Sequence, residues 1–472
     1  MRFSNVVGCL LLSATLAVGA DFSRRFDDLR REATPRQLYQ LLYALPKGGD
    51  LHHHSSGSNR SEWMWDVLTN PLLTGGDRFY TRARFSAAAD AIAPTARFHT
   101  IRQFTYDQLT ESVRREYVPL DELTEAKHTD WLNAFRLDAP GEGRREFFDA
   151  HWPRLGDINR NPHVRIELLV RNLKAYGAEG VRYLEAMFDV DGCSTNDGRA
   201  LAREETLVLL EERLRQPDAA ATGVTVRFLS VVLRFAPRAE QHLAEDYAWV
   251  SAHRDRWVGM NMAGIEENGR GYPRRFLETY RSLRSRFPTL PLAIHAGEMD
   301  GPDFHIRDTL LLGARRIGHG VNLLQDPDTL LLLQQSGRTL VEINLISNQL
   351  LEYTPDLQQH PFPELLRTGV PVCLNTDDRG MWDSNLTDEY YTAVTAFSLS
   401  WDEIVALGRN SLEHAFVEDA VKQQLLKEYA AAVAEFEDTY GSGSLADALA
   451  RVDQVPAVTY GYAKRAWGLE FP

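Results

Sequence analysis

Apolar and polar positions follow two rhythms along this chain. Between residues 21 and 45, Leu29, Leu38, Leu41, Leu42 and Leu45 are interleaved with charges at helical spacing, and Pro46 ends the pattern. This segment predicts an amphipathic N-terminal helical extension that lies on the main fold as a lid or brace. Short apolar runs then recur at Gly49–His54, Val181–Phe188, Val224–Leu233, Trp257–Ala263, Leu290–His295, Arg316–His319, Thr339–Leu345 and Val370–Asn375, with helix-like segments between the later ones. Eight strands alternating with helices predict an α/β fold, a closed (β/α)8 TIM barrel over residues 46–472. A doubly wound open sheet shares this alternation, but no glycine-rich phosphate loop follows the first run. From Ser58 to about Asn161 the rhythm lapses, and Trp63, Trp65, Phe79, Phe85 and Phe98 are spread among polar residues. A largely helical insertion over about residues 58–160, near the entrance to the site, is expected there. After Leu374 the chain turns helical, with Leu407, Ala415, Phe416, Leu425, Leu426 and Tyr429 as candidate core positions.

Composition changes this picture at one end. The 472 residues are 44% hydrophobic and 25% charged, ample for a large buried core. Residues 1–20 differ: Arg2 is their one charge, Val6 to Val18 is nearly all apolar or small, and Val18-Gly19-Ala20 precedes Asp21. That layout predicts a secretory signal peptide and a periplasmic or secreted protein. A transmembrane anchor is the other reading, but the apolar run is shorter than the roughly 20 residues a span needs. Losing Arg2 makes the formal charge one unit more negative than −14. Such a surface argues against nucleic acid or an anionic membrane as partner and leaves small neutral or cationic substrates open. Cys9 lies within the leader; Cys193 and Cys373 remain, and Cys373 sits in an apolar run, which predicts a buried thiol rather than a disulfide. Nothing in the pattern specifies an oligomer.

Candidate chemistry collects where the apolar runs stop, at the strand ends where barrels place their reactive groups. In a strand through Leu51-His52-His53-His54, His52 and His54 share one face and His53 takes the other. Two imidazoles so placed can grip one metal ion; a surface histidine run gives the same pattern. His295-Ala296-Gly297-Glu298 ends the fifth run, Gly318-His319-Gly320 the sixth, Ser347-Asn348 follows the seventh, and Asn375-Thr376-Asp377-Asp378 ends the eighth. In a closed barrel the first and eighth strands are neighbours, so Asp377 approaches His52 and His54 while His295 reaches across. Three imidazoles and a carboxylate suit a zinc-type ion with room for water. Taken singly, each has a structural explanation: a solvated Glu298, a helix cap at Asp377-Asp378, a turn at His319. Their joint placement at strand ends is what points to a site.

These blocks resemble the metal-dependent adenosine deaminases of the amidohydrolase superfamily, including their secreted, growth-factor-related branch. The likeness runs in order from Pro46-Lys47 and Leu51–His54 through Gly259-Met260-Asn261-Met262-Ala263-Gly264, His295–Glu298, Gly318–Gly320 and Ser347-Asn348 to Leu374–Asp378. Leu386–Tyr390 and Asn410-Ser411 through Phe416 continue it. Cytidine-type zinc deaminases fit poorly, since no PCxxC is present. The resemblance implies one Zn2+ per chain held by His52, His54, His295 and Asp377, with a water activated to attack C6 of a purine. It implies Glu298 as a general acid toward N1, His319 as the group orienting the water, Asp378 bonded to N7 and the Gly264 backbone at N3. The implied reaction is hydrolysis of adenosine or 2′-deoxyadenosine to the inosine product and ammonia.

The chain departs from the family pattern at several positions. Ser56 stands where cytosolic members carry an acid for the sugar 5′-hydroxyl, and Ser55 where the secreted branch has Asp. Arg379 replaces a common proline, Asn344 a common cysteine and Met187 an arginine near Glu185. These changes suggest an altered substrate pocket around unchanged chemistry, Ser56 remaining a candidate substrate contact and the insertion a source of substitute sugar contacts. Adenine or another aminopurine is the nearest alternative substrate. A metal-dependent amide or ester hydrolase, or a binding protein that no longer turns over, are the further alternatives on the same barrel.

Overall fold

The computed structural model describes residues 22–84, 97–267, 269–301 and 303–471. The predicted leader falls outside them. Eight parallel strands form one sheet in chain order: β1 (Gly48–His54), β2 (Val181–Met187), β3 (Thr225–Leu233), β4 (Trp257–Ala263), β5 (Leu292–Ala296), β6 (Arg316–His319), β7 (Leu340–Ile343) and β8 (Val372–Leu374). The sheet closes on itself just beyond β8. His54 N–H donates to the Asp377 carbonyl at 3.2 Å, and Asp377 N–H to the His52 carbonyl at 2.9 Å. The fold is therefore the expected (β/α)8 barrel. Its strands read as continuous apolar runs because helices cover the outside and side chains fill the inside; every residue of β4 and β5 is buried.

Two helices precede the barrel, α1 (22–32) and α2 (Pro35–Ala44). Thr34 separates them and caps α2, its hydroxyl accepting from Gln37 N–H, with Pro35 at the first helical position. Phe22 and Phe26 pack on Trp401 at ring separations of 4.8 and 5.5 Å. None of the described residues 22–45 lines the central cavity, so the extension is a brace rather than a lid.

The segment between β1 and β2 is built of short helices and, in addition, a small antiparallel sheet that the sequence pattern does not disclose. Phe79–Arg82 is its middle strand, flanked by Thr100–Arg102 and Tyr117–Pro119. Strands of three or four residues are too short to display alternation. Met64, Trp131, Phe135, Phe147 and Trp382 share one apolar cluster, which fixes the insertion to the loops above the barrel. The long helix α3 (Pro162–Ala178), capped by Asn161, then leads back to β2. Cys193 and Cys373 are both buried and unpaired, and no helix among the described residues is long and apolar enough to cross a membrane.

Candidate active site

Strand geometry sorts the three histidines of β1. His52 and His54 turn inward at the top of the barrel; His53 turns outward, its Nδ1 lying 2.9 Å from the Tyr176 hydroxyl of α3. His295 ends β5, His319 ends β6, and Asp377 follows β8. His319 and Asp377 hold φ of 67° and 54°, a left-handed backbone that costs a residue with a side chain on the order of 1–3 kcal/mol. The fold tolerates that cost where the two side chains must face the barrel axis.

His54 Nε2 lies 3.1 Å from His295 Nε2 and 3.2 Å from Asp377 Oδ1, and His52 Nε2 lies 3.5 Å from the same oxygen. Ligand-type atoms of His52, His295, His319 and Asp377 all fall within 4.8 Å of one another. The donor set fits a divalent cation. Buried His52 Nε2 and His295 Nδ1 have no hydrogen-bond partner, and the nitrogens of His54 and His295 face each other. His52 Nδ1 is fixed on Glu342 Oε2 at 2.7 Å, which leaves its Nε2 lone pair directed inward. Burial opposes charge on His52, yet Asp377 and Glu342 overcome it and push the imidazole up to about 10. These carboxylates favour a positive charge at this spot. Burial also opposes charge on Asp377, but His52 and His54 hold it well below the usual carboxylate range, while burial drives His295 well below its ordinary value.

His319 faces Glu298 across 3.6 Å, Nε2 to Oε2, and a chain of bonds sets its tautomer. Phe362 N–H donates to His360 Nδ1 at 3.1 Å, so the His360 proton sits on Nε2 and is donated to Asn348 Oδ1 at 3.1 Å. Asn348 Nδ2 then donates to His319 Nδ1 at 3.0 Å, and Asn344 Nδ2 adds a second bond there at 3.2 Å. The remaining proton of His319 is on Nε2, which makes that nitrogen a donor toward the site. Burial pushes His319 and His360 each down to about 3, so both rings are neutral near pH 7.

Glu298 is buried, and burial, reinforced by Asp377 and Glu266, pushes its carboxyl well up; Asp378 is raised by burial and Asp377. Glu266 fixes the turn beneath Glu298, accepting from Gly297 N–H at 3.0 Å, Glu298 N–H at 3.3 Å and His305 Nδ1 at 2.7 Å. Asp378 lies so close to Gly57 that a Cβ on that glycine would overlap its carboxyl. Gly264 holds φ of 106°, with the Phe235 ring 2.6 Å from where a Cβ would stand.

These groups meet at a cavity of about 410 Å³. His54, His295, His319, Glu298, Asp377, Asp378, Gly264, Ser55 and Ser56 all line it, while His52 lies just beneath. Phe147, Phe148 and Trp152 of the insertion form its aromatic mouth, and Met187, one of the departures from the family pattern, forms part of the wall. Arg379 corrects an expectation. It points away from the cavity into the barrel's flank, fully buried, pairing with Glu179 at 2.8 Å and lying 4.3 Å above the Tyr176 ring. The substitution alters internal support rather than the pocket. Sequence reading missed Glu266, Glu342 and His360. Of these only Glu342 left a signal, a carboxylate inside the apolar run Leu340-Val341-Glu342-Ile343.

Known proteins agree with this assembly. The family model described as adenosine deaminase matches residues 146–432. An adenosine deaminase of Enterococcus faecalis is 32% identical over 251 residues, 52% of this chain and 70% of that protein. An adenine deaminase of Agrobacterium fabrum is 39% identical over 208 residues, 43% of this chain and 61% of that protein. Among solved structures, an N6-mAMP deaminase from Arabidopsis superposes with a TM-score of 0.60 at 21% identity, covering 83% of this chain and 99% of its own. A match across more than half of the chain, on a (β/α)8 barrel with His, Asp and Glu side chains gathered at its mouth, shows that the chain belongs to the adenosine deaminase family, hydrolases acting on cyclic amidines.

Proposed function

We propose that the chain deaminates adenosine and 2′-deoxyadenosine to inosine and 2′-deoxyinosine, with one zinc ion held by His52, His54, His295 and Asp377. The observation that carries this reading is the meeting of that ligand set with two raised carboxyls, Glu298 and Asp378, on the floor of a cavity roomy enough for a nucleoside. When bound, such an ion would supply Lewis acidity and an activated water near neutral pH. Glu298 keeps its proton and presents it to N1, which drains the ring at C6. His319 donates through Nε2–H to the incoming oxygen and the charge that develops on it. Asp378 donates to N7 and the Gly264 N–H meets N3, so the purine is fixed in the plane that exposes C6. The C6–O bond forms and the C6–N bond breaks; of the water's two protons, one leaves with the amino group as ammonia and the other restores Glu298.

Ser55 and Ser56, together with the adenine deaminase relatives, favour one second reading, adenine or another aminopurine as substrate. An ultraviolet screen over adenosine, 2′-deoxyadenosine, adenine and AMP, with metal analysis of the same sample, separates the readings; adenosine as the poorest substrate would sink the first. Residues 46–472 act as one deaminase unit in this proposal, and residues 1–20 direct export, as in the family's secreted branch. Protein recovered outside the cytoplasm would begin at Asp21; retention of Met1 there would refute the leader.

A further inference from the structure

The acid that the family places after its second histidine is missing at Ser56, but an acid stands at the same level of the barrel one strand away. His54 and Met187 are partners in the parallel register of β1 and β2. Ser56 and Asp189 therefore each lie two residues beyond a paired position on the same rim. Ser55 N–H donates to the Met187 carbonyl at 3.3 Å, which holds the two loops side by side. Asp189 and Ser56 both line the cavity.

The Asp189 carboxylate is held in place by β3, Oδ1 accepting from Ser230 Oγ at 2.6 Å and Oδ2 from Val231 N–H at 3.2 Å. Each oxygen offers two lone pairs, so each retains capacity for another donor. Arg165 is the guanidinium among the described lining residues, and it does not consume that capacity. It donates to the main-chain carbonyls of Asp189 at 2.5 Å and Asp191 at 2.9 Å. A hydroxyl-bearing, uncharged group suits this corner. A phosphate does not, because the one guanidinium among the described lining residues, Arg165, is already committed to main-chain carbonyls and this corner is formed by an acid.

We propose that Asp189 binds a sugar hydroxyl of the nucleoside, taking over from a neighbouring strand the task of the acid absent at Ser56. The inference rests on the nucleoside reading above. Its test compares the native enzyme with Asp189→Ala and Asp189→Asn on adenosine, its 2′-, 3′- and 5′-deoxy analogues, and 9-methyladenine, which has no sugar. Asp189→Ala is expected to lower kcat/KM for adenosine about 10- to 100-fold, the size of one hydrogen bond to a charged group, with 9-methyladenine unchanged. The deoxy analogue that lacks the bonded hydroxyl should be as poor for the native enzyme as for the variant, and Asp189→Asn should fall between. Equal losses on every substrate, 9-methyladenine included, would make Asp189 merely structural and overturn the proposal, as would no loss at all. A native enzyme that prefers adenine or AMP to adenosine would instead remove the nucleoside reading itself.

Discussion

Single atoms decide what this site can do. In the proposed reaction Glu298 serves as an acid because burial raises its carboxyl well above the usual range, and Glu266 holds the turn that presents it. Glu298→Gln preserves shape while removing the transferable proton. Deamination should fall at least about 100-fold with bound metal, measured by plasma emission, unchanged. His360 acts at one remove, through Asn348, by determining which nitrogen of His319 carries hydrogen. His360→Phe breaks that chain and should lower kcat about 10- to 100-fold with little change in KM. His360→Gln, which can accept from Phe362 N–H and donate to Asn348, should recover much of the loss. A KM effect alone would point to general loosening of the pocket instead.

At the level of elements, the strands were legible and their partners were not. Parallel strands covered on both faces appear as apolar runs, and each of the eight predicted runs overlaps an observed strand. Their polar ends disclosed His52, His54, His295, His319, Asp377 and Asp378, because hydrophilic residues closing an apolar strand stand out. Glu266 and His360 lie in irregular segments, and their roles depend on contacts across 31 and 12 residues that no local pattern encodes. The small sheet of the insertion escaped for want of length. One element carries its own pH dependence: Asp388, in the capping box of the helix Leu386–Phe397, accepts from Asn385 N–H and the Tyr39 hydroxyl, and burial pushes it up to about 7. Its proton is bound more tightly in the fold than in the unfolded chain. Its contribution is therefore complete below about pH 4 and is lost as pH rises through about 7. Urea unfolding of Asp388→Asn should show a shallower decline across that window than the native protein, by an amount on the order of a few kcal/mol.

For the molecule as a whole, the proposed ligand side chains sit on the β1, β5 and β8 sides of the barrel, so metal binding there would link metal affinity to global stability. Stripping the ion with a chelator should abolish turnover and lower Tm by roughly 5 °C or more, and added Zn2+ should restore both. An unchanged Tm would mean that the ion binds folded and unfolded chains alike. The seam beyond β8 has a consequence of another kind. The residues that clasp the barrel shut are also proposed ligands, and β1 meets the strand-8 end across 326 positions of sequence, as in the bond from Thr376 N–H to Asp50. Loop closure over such a distance is slow and late. Asp377 can join His52 and His54 only after the last strand has been synthesised, so in the proposed site metal uptake would report that synthesis has passed that strand.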